Sequence, residues 1–258
     1  MEPVAVQAGE PLEVMIAEGR RLVDVATHQG ITVRLLGGVG VYLQAGPAGP
    51  LLARPIGDID LAIKRGSRGA LTTMLTAEGY LPDEMFNALQ GARRLLFFGE
   101  ATGRKLDIFI GEFSMCHVLP ITDRLERDPI TIPLAELLLT KLQIVELTER
   151  DQRDIFSLCY HHPVSKGDGS EIEGDHIAQI CARDWGLWRT AKATIERCKA
   201  NLAGYALSPE QSAVITERLD VLWSMIEQAP KSAKWRLRSR VGDRMRWYAE
   251  PEENTKAD

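Results

Sequence analysis

The sequence predicts an α/β (α+β) N-terminal part with a small mixed sheet, followed by an all-α C-terminal part. Two observations carry this. Short β-rich runs alternate with helical patterns up to about residue 132. From Pro133 onward, apolar residues recur at helical spacing almost to the end of the chain. The length of 258 residues, 45% apolar and 26% charged, suits one large core or two modest ones and excludes a disordered or fibrous chain. The change of pattern divides the chain into an α/β domain over 1–132 and a helical domain over 133–258.

Residues 11–28 place Leu12, Met15, Ile16, Leu22, Val23 and Val25 at mostly helical spacing, with Gly30 as the stop. The run TVRLL (32–36) reads as a strand ending in Gly37-Gly38, and VGVYLQA as a buried helix before the turn-rich AGPAGP. A second strand, 56–63, puts Ile59, Leu61 and Ile63 on one face and Asp58, Asp60 and Ala62 on the other. A helix over 69–80 follows, then strands over 94–98 and 105–110 joined by GEATG. In the second half, helices are expected over 133–151, 153–162, 176–203 and 208–229. The polar loop PVSKGDGSEIEGD interrupts them, Asp175 and Ser208 stand as N-caps, and Pro209 takes a first helical position.

The charge balance is 36 acidic against 31 basic residues, net −5, which argues against a whole-surface polyanion binder. It hides a local basic segment: between Lys231 and Trp247 stand Lys231, Lys234, Arg236, Arg238, Arg240, Arg244 and Arg246 against Asp243 alone, and an acidic tail follows. Trp235 and Trp247 interleave these cations, so the segment can be an RNA-binding surface or a solvated helix face. Cys116, Cys159, Cys181 and Cys198 show no paired spacing, the N-terminus carries no leader pattern, and no apolar run reaches membrane-spanning length. A cytoplasmic protein without membrane association is the expectation.

The chemistry concentrates in GGVGVYLQAGPAGPLLARPIGDIDLAI and KLDIFI. Asp58 and Asp60 project side by side, ~7 Å apart along the strand. Asp is disfavoured in strands, so two on one face and a third, Asp107, centred in an apolar strand need a reason. Carboxylates converging at one sheet edge repel one another unless cations intervene, and hard oxygen donors suit Mg²⁺ or Mn²⁺. A two-metal phosphoryl or nucleotidyl site is the economical explanation. Gly37-Gly38 lets backbone N–H groups approach a phosphate at a helix N-terminus. Neither a dinucleotide fingerprint nor a P-loop is present, since Leu43 stands at the third Gly position and no GKS or GKT follows.

These residues resemble the nucleotidyltransferase superfamily that includes the DNA polymerase β-like palm and the minimal nucleotidyltransferases. Its pattern is a Gly turn opening a helix, an apolar-flanked Asp-x-Asp, and a further Asp on a later strand. The run from Lys141 to Arg153-Asp154 also resembles the toxin-type nucleotidyltransferases of abortive-infection and toxin–antitoxin systems. The resemblance covers about residues 33–158. Val39 follows the Gly pair where the family often carries Ser or Thr, and AGPAGPLLARP lengthens the connection to Asp58.

The resemblance implies transfer of a nucleoside monophosphate from an NTP to a hydroxyl acceptor. It makes Asp58, Asp60 and Asp107 the catalytic, metal-binding residues of a site for two Mg²⁺ ions, with Mn²⁺ possible. Nucleotide binding falls to Gly37 and Gly38, to Lys141 as first cation for the pyrophosphate, and to Arg54 or Lys64 as second. Arg153 and Asp154 position Lys141 or the nucleotide. An RNA or tRNA end, a protein hydroxyl and a small molecule remain open as acceptors. The rival expectation is a non-catalytic interaction module that keeps this fold. The bland readings stand beside these: Lys141 on a solvated helix face, Arg150-Asp151 and Arg153-Asp154 as surface pairs, and Trp185 and Trp188 as core. Cys159, His161, His162, His176 and Cys181 match no zinc spacing.

Overall fold

The computed structural model describes residues 11–46, 49–167 and 171–250. The N-terminal decapeptide, residues 47–48 of the Gly/Pro-rich connection, residues 168–170 of the polar loop and the acidic tail 251–258 lie outside them.

Helix α1 (Leu12–His28) buries Met15, Leu22, Val23 and Ala26 at helical spacing and ends before Gly30, whose φ of 71° closes the turn. Strand β1 (Val33–Leu36) runs straight into α2 (Gly37–Gln44), the reversal made at Gly37. The sheet continues with β2 (Asp58–Ile63), α3 (Arg68–Ala77), β3 (Tyr80–Pro82), α4 (Glu84–Gln90), β4 (Arg94–Gly99) and β5 (Lys105–Ile110). The mixed α/β class expected from the pattern is the one observed. Strand order is β1-β2-β5-β4-β3, antiparallel except for the β2–β5 pair.

The alternation in β2 and β5 separates two cores. Ile59, Leu61, Ile63, Leu106, Ile108 and Ile110 join Leu22, Leu71 and Leu75 in one apolar cluster that packs α1 and α3 on one face of the sheet. Ala62 and Phe109 lie on the other face and join a second cluster containing Leu137, Leu138, Phe156, Ile195 and Leu219 from the helical half. The acid-bearing face of the sheet is thus the one that meets the helices.

After a small hairpin, β6 (Phe113–Ser114) and β7 (Val118–Leu119), residues 130–132 run beside β1. Leu35 N donates to Ile130 O (2.9 Å) and Ile132 N to Leu35 O (2.9 Å). This anchors α5 (Leu134–Leu142), which is buried at every position but Lys141. The two helices expected over 133–151 and 153–162 are present, but the break between them lies at 143–148 rather than at 152. α5 stops before Gln143, and α6 (Glu149–His161) begins anew because Thr148 and Asp151 form a reciprocal capping box. The polar loop contains a short parallel ladder, β8 (Val164–Ser165) with β9 (Ile172–Glu173). The helix expected over 176–203 divides, into α7 (Gly174–Cys181) and α8 (Trp185–Asn201), because the Asp184 side chain caps the Leu187 N–H. Asp175 lies inside the first turn of α7 rather than at its cap.

Helix α9 (Pro209–Gln228) starts as expected, with Ser208 as N-cap and Pro209 in the first turn. Tyr80 belongs to an edge strand rather than to the preceding helix, and α4, capped by Asp83, was not anticipated. Finally α10 (Ala233–Ser239) and the segment to Glu250 fold back over α8. Arg238 stacks on Trp185 (4.5 Å) and the Trp247 indole N–H donates to Thr190 Oγ1 (3.1 Å). No helix among the described residues is long and apolar enough to cross a membrane.

Candidate active site

The site is built on strand register. Parallel pairing sets Asp60 opposite Asp107 and Asp58 opposite Lys105, so period-two alternation puts all four side chains on the face turned toward α5. They border a cleft of about 250 Å³ with Gly37, Arg94, Lys141, Gln143, Ile144 and Asp151 among its other walls.

Gly37 has φ of 59°, and a Cβ there would lie 1.7 Å from Asp60 Oδ2. Only glycine permits both the left-handed turn and the approach of this carboxylate to the start of α2. Gly38 leaves room for Arg54, whose Nη2 would lie 2.8 Å from an added Cβ. The first-turn N–H groups of a helix have no intrahelical acceptor, so α2 presents them where the two glycines leave space.

Asp60 carries the strongest electrostatic stress in the cleft. Burial pushes its carboxyl well above the ordinary range, and Asp58 and Asp107 push it the same way. Lys141 and Lys105 oppose them and do not prevail. Lys105 Nζ stands 3.4 Å from Asp58 Oδ2 and 3.8 Å from Asp107 Oδ2. Asp107, only 2% exposed, is gripped from the other side by Arg94 through Nε (2.7 Å) and Nη2 (2.5 Å). Arg94 reaches it because Arg94 pairs with Phe109 across β4–β5 and therefore shares the face of Asp107.

Beside the Gly turn lies a second ionic group. Arg54 grips Asp154 through Nε (2.8 Å) and Nη2 (2.7 Å), while Lys141 Nζ lies 2.9 Å from Asp154 and 3.4 Å from Asp151. Burial pushes the Lys141 ammonium down, but Asp154 and Asp151 outweigh it and hold it above its usual range. Burial likewise raises Asp154, and Lys141 with Arg54 reverses it to a net lowering. Lys141 is therefore a charged, largely enclosed group rather than a solvated surface lysine.

Of the residues singled out in the sequence, the fold brings Gly37, Gly38, Arg54, Asp58, Asp60, Asp107, Lys141 and Asp154 to this one place. It does not bring Lys64, which is exposed beyond the far end of β2 and pairs with Glu126. Arg153 also turns away: it pairs with Glu149 (2.6 Å), stacks over Tyr205 (5.6 Å) and borders a separate cavity with Asn201. On α6, positions 151 and 154 share a face that 153 does not. Sequence reasoning missed Arg94, Lys105, Asp151 and Gln143. Lys105 was readable from its period-two relation to Asp107, and Asp151 from the Thr148-x-x-Asp151 capping pattern; Arg94 depends on the β4–β5 register.

Asp58 and Asp60 fit a divalent ion: hard oxygens, one under strong like-charge repulsion, beside a cradle that a Cβ would fill. Asp107 does not fit while Arg94 holds both its oxygens. No group of three His, Cys, Asp or Glu among the described residues is arranged to hold a metal ion.

No family model and no curated protein sequence matches this chain. Among solved structures, the terminal uridylyl transferase 4 from Trypanosoma brucei with bound GTP is similar over 86% of this chain and 93% of its own, with a TM-score of 0.30 and 10% identity. What the site can do follows from the chain's own residues.

Proposed function

We propose that the protein is a nucleotidyltransferase that moves a nucleoside monophosphate from an NTP to a hydroxyl acceptor, releasing pyrophosphate. The observation that supports this most is the contact of Gly37 with Asp60. A crowded carboxylate with a raised pKa stands against the opening turn of a helix, with Asp58 and Asp107 beside it.

In this reading, Asp58 and Asp60 hold Mg²⁺, or Mn²⁺ in its place, and Asp107 joins them once Arg94 lets go. Two such ions, when bound, would polarise the α-phosphate and acidify the acceptor hydroxyl. The first-turn amides of α2 at Gly37 and Gly38 receive phosphate oxygens from the open side. Lys141 faces the β- and γ-phosphates with its charge secured by Asp151 and Asp154. Arg54 orients Asp154 and carries charge toward Gly38. Asp107, or Asp58 if Asp107 stays paired, accepts the acceptor's proton.

Calorimetry with each Mg²⁺–NTP, in parallel with labelled NTP and an RNA-containing lysate, tests the reading. Wild type should bind and label, and Asp58→Ala/Asp60→Ala should do neither. Binding and labelling that are the same in both proteins would sink it. Lys141 with Asp151 and Asp154 also supports the finer kinship with toxin-type enzymes. Growth arrest on induction, lost in Asp58→Ala/Asp60→Ala, is the expected outcome for that refinement.

A second reading, a non-catalytic module that keeps the fold, is favoured by one observation: Arg94 occupies both oxygens of Asp107. Nucleotide binding without turnover against every acceptor pool would select it.

A further inference from the structure

We propose that the cleft adjoining the catalytic one, walled by Cys116, Ile144, Val145 and Tyr248, seats the base of the incoming nucleotide, and that Glu146 selects bases bearing an amino group. This rests on the nucleotidyl-transfer reading and deepens it.

The second cleft has a volume of about 410 Å³. Ile144 lines both cavities, and the consecutive hairpin residues Met115 and Cys116 line one each. The two cavities are thus neighbours across Ile144 and the Met115–Cys116 pair, and the proposal places the α-phosphate in the first and the nucleoside in the second. The wall bearing Tyr248 is held in place: Ala249 N donates to Cys116 O (2.9 Å), and Trp247 donates to the Thr190 hydroxyl (3.1 Å). His117 Nε2 meets that same hydroxyl at 2.9 Å, and the His117 N–H donates to Gln143 Oε1 (2.8 Å), which borders the catalytic cleft. The C-terminal segment is thus coupled through two hydrogen-bonded side chains to the catalytic wall.

The lining chemistry identifies the occupant. Glu146 and Glu250 make the cavity repellent to phosphate. Arg246, the cation among the lining residues, is engaged by Glu250 (2.5 Å) and lies over the Tyr248 ring (4.7 Å). Ile144, Val145 and Cys116 offer apolar surface. These walls suit a flat heterocycle, apolar on its faces and N–H-bearing on its edge, with Tyr248 as stacking partner once the base displaces Arg246 from its ring. An ionised carboxylate only accepts hydrogen bonds. Adenine, cytosine and guanine present an amino group to it, whereas uracil presents one N–H flanked by two carbonyl oxygens, which Glu146 repels.

The test is calorimetry on the full chain with Mg²⁺ and, in turn, ATP, CTP, GTP, UTP and inorganic tripolyphosphate. ATP, CTP and GTP should bind about tenfold or more tightly than tripolyphosphate, with UTP close to tripolyphosphate. Tyr248→Ala should weaken the first three about tenfold and leave tripolyphosphate unchanged, Tyr248→Phe should match wild type, and Glu146→Gln should narrow the gap to UTP. Nucleotide affinities untouched by Tyr248→Ala, in a wild type that prefers nucleotides to tripolyphosphate, overturn the base site while nucleotidyl transfer stands. If Tyr248→Ala raises only the acceptor's KM, the cleft belongs to the acceptor, which equally overturns it. A wild type that binds neither nucleotides nor tripolyphosphate overturns both readings.

Discussion

Gly37 and Asp60 are complementary across the mouth of α2: the space a Gly37 side chain would need is filled by the Asp60 carboxylate, with Oδ2 only 1.7 Å from the would-be Cβ. Gly37→Ala must therefore displace Asp60 and also place a side chain at φ of 59°, a conformation that costs an L-residue about 1–2 kcal/mol. The expected result is a lowered melting temperature together with lost Mg²⁺–nucleotide binding. Gly57→Ala, where an added Cβ meets nothing within 4 Å, serves as control and should alter neither. Thermal melts and calorimetry on the two variants check the pair.

Asp60 also makes the site a source of instability that varies with pH. Its folded-state pKa lies above the ordinary 3.8, so the native state binds its proton more tightly than the unfolded chain does. The stability this provides is fully present below the unfolded value and is lost as pH rises through the folded one. Asp60→Asn should consequently melt at a higher temperature than wild type at pH 7. The advantage should shrink as pH falls toward about 4. A melt series between pH 4 and 8 reads this directly, and an Asp60→Asn protein less stable than wild type at pH 7 would contradict the repulsion.

Arg94 supplies charge compensation to a carboxylate that is 2% exposed, and Lys105 at 3.8 Å is the only other cation paired with it among the described residues. Removing one partner of such a buried pair costs up to about 3–5 kcal/mol, and here Asp107 would keep only the more distant Lys105. Arg94→Gln should be destabilised on that scale in chelator. Mg²⁺ should then restore part of the loss and raise the variant's melting temperature more than that of wild type, since Asp107 becomes available beside Asp58 and Asp60. An equal Mg²⁺ shift in both proteins would mean that Asp107 is no part of a cation site.

Much of this site was legible because strand parity needs no tertiary knowledge. Asp58 and Asp60 share a face by parity within one strand, Asp107 stands out as an acid centred in an apolar strand, and Gly37-Gly38 marks a turn by composition alone. What parity leaves open is register. The parallel β2–β5 pairing that sets Asp60 beside Asp107, and the β4–β5 pairing that delivers Arg94, are contacts between distant segments. Arg54 and Asp154, 100 positions apart, meet only because α6 packs against the α2 side of the sheet. Lys64 fails for a local reason: it sits four residues beyond Asp60, ~13 Å along an extended chain, at the wrong end of the strand. In the helical half, apolar periodicity ran through the breaks at Gln143 and Arg183 because both helices of each pair are buried. Only the caps, Thr148 and Asp184, mark where a new helix begins.

The basic C-terminal segment is where the sequence allows an RNA contact, and its internal bonding limits how strong such a contact can be. Lys231 Nζ is taken up by the carbonyls of Ile226, Glu227 and Ala229 at the end of α9. Arg236 donates to Lys231 O, Arg238 to Gly242 O and Met245 O, and Arg246 pairs with Glu250. Among the described residues no such side-chain bond engages Lys234, Arg240 or Arg244, which are left to meet phosphates. Single-stranded RNA releases about 0.7 counterion per neutralised phosphate, so three contacts predict a log–log salt slope of roughly −2. A filter-binding titration between low and physiological salt should give that slope, and Lys234→Ala/Arg240→Ala/Arg244→Ala should flatten it. A slope of roughly −5 would require the four bonded cations to break their contacts as well. Absence of binding even at low ionic strength would remove RNA from the acceptors this segment can serve.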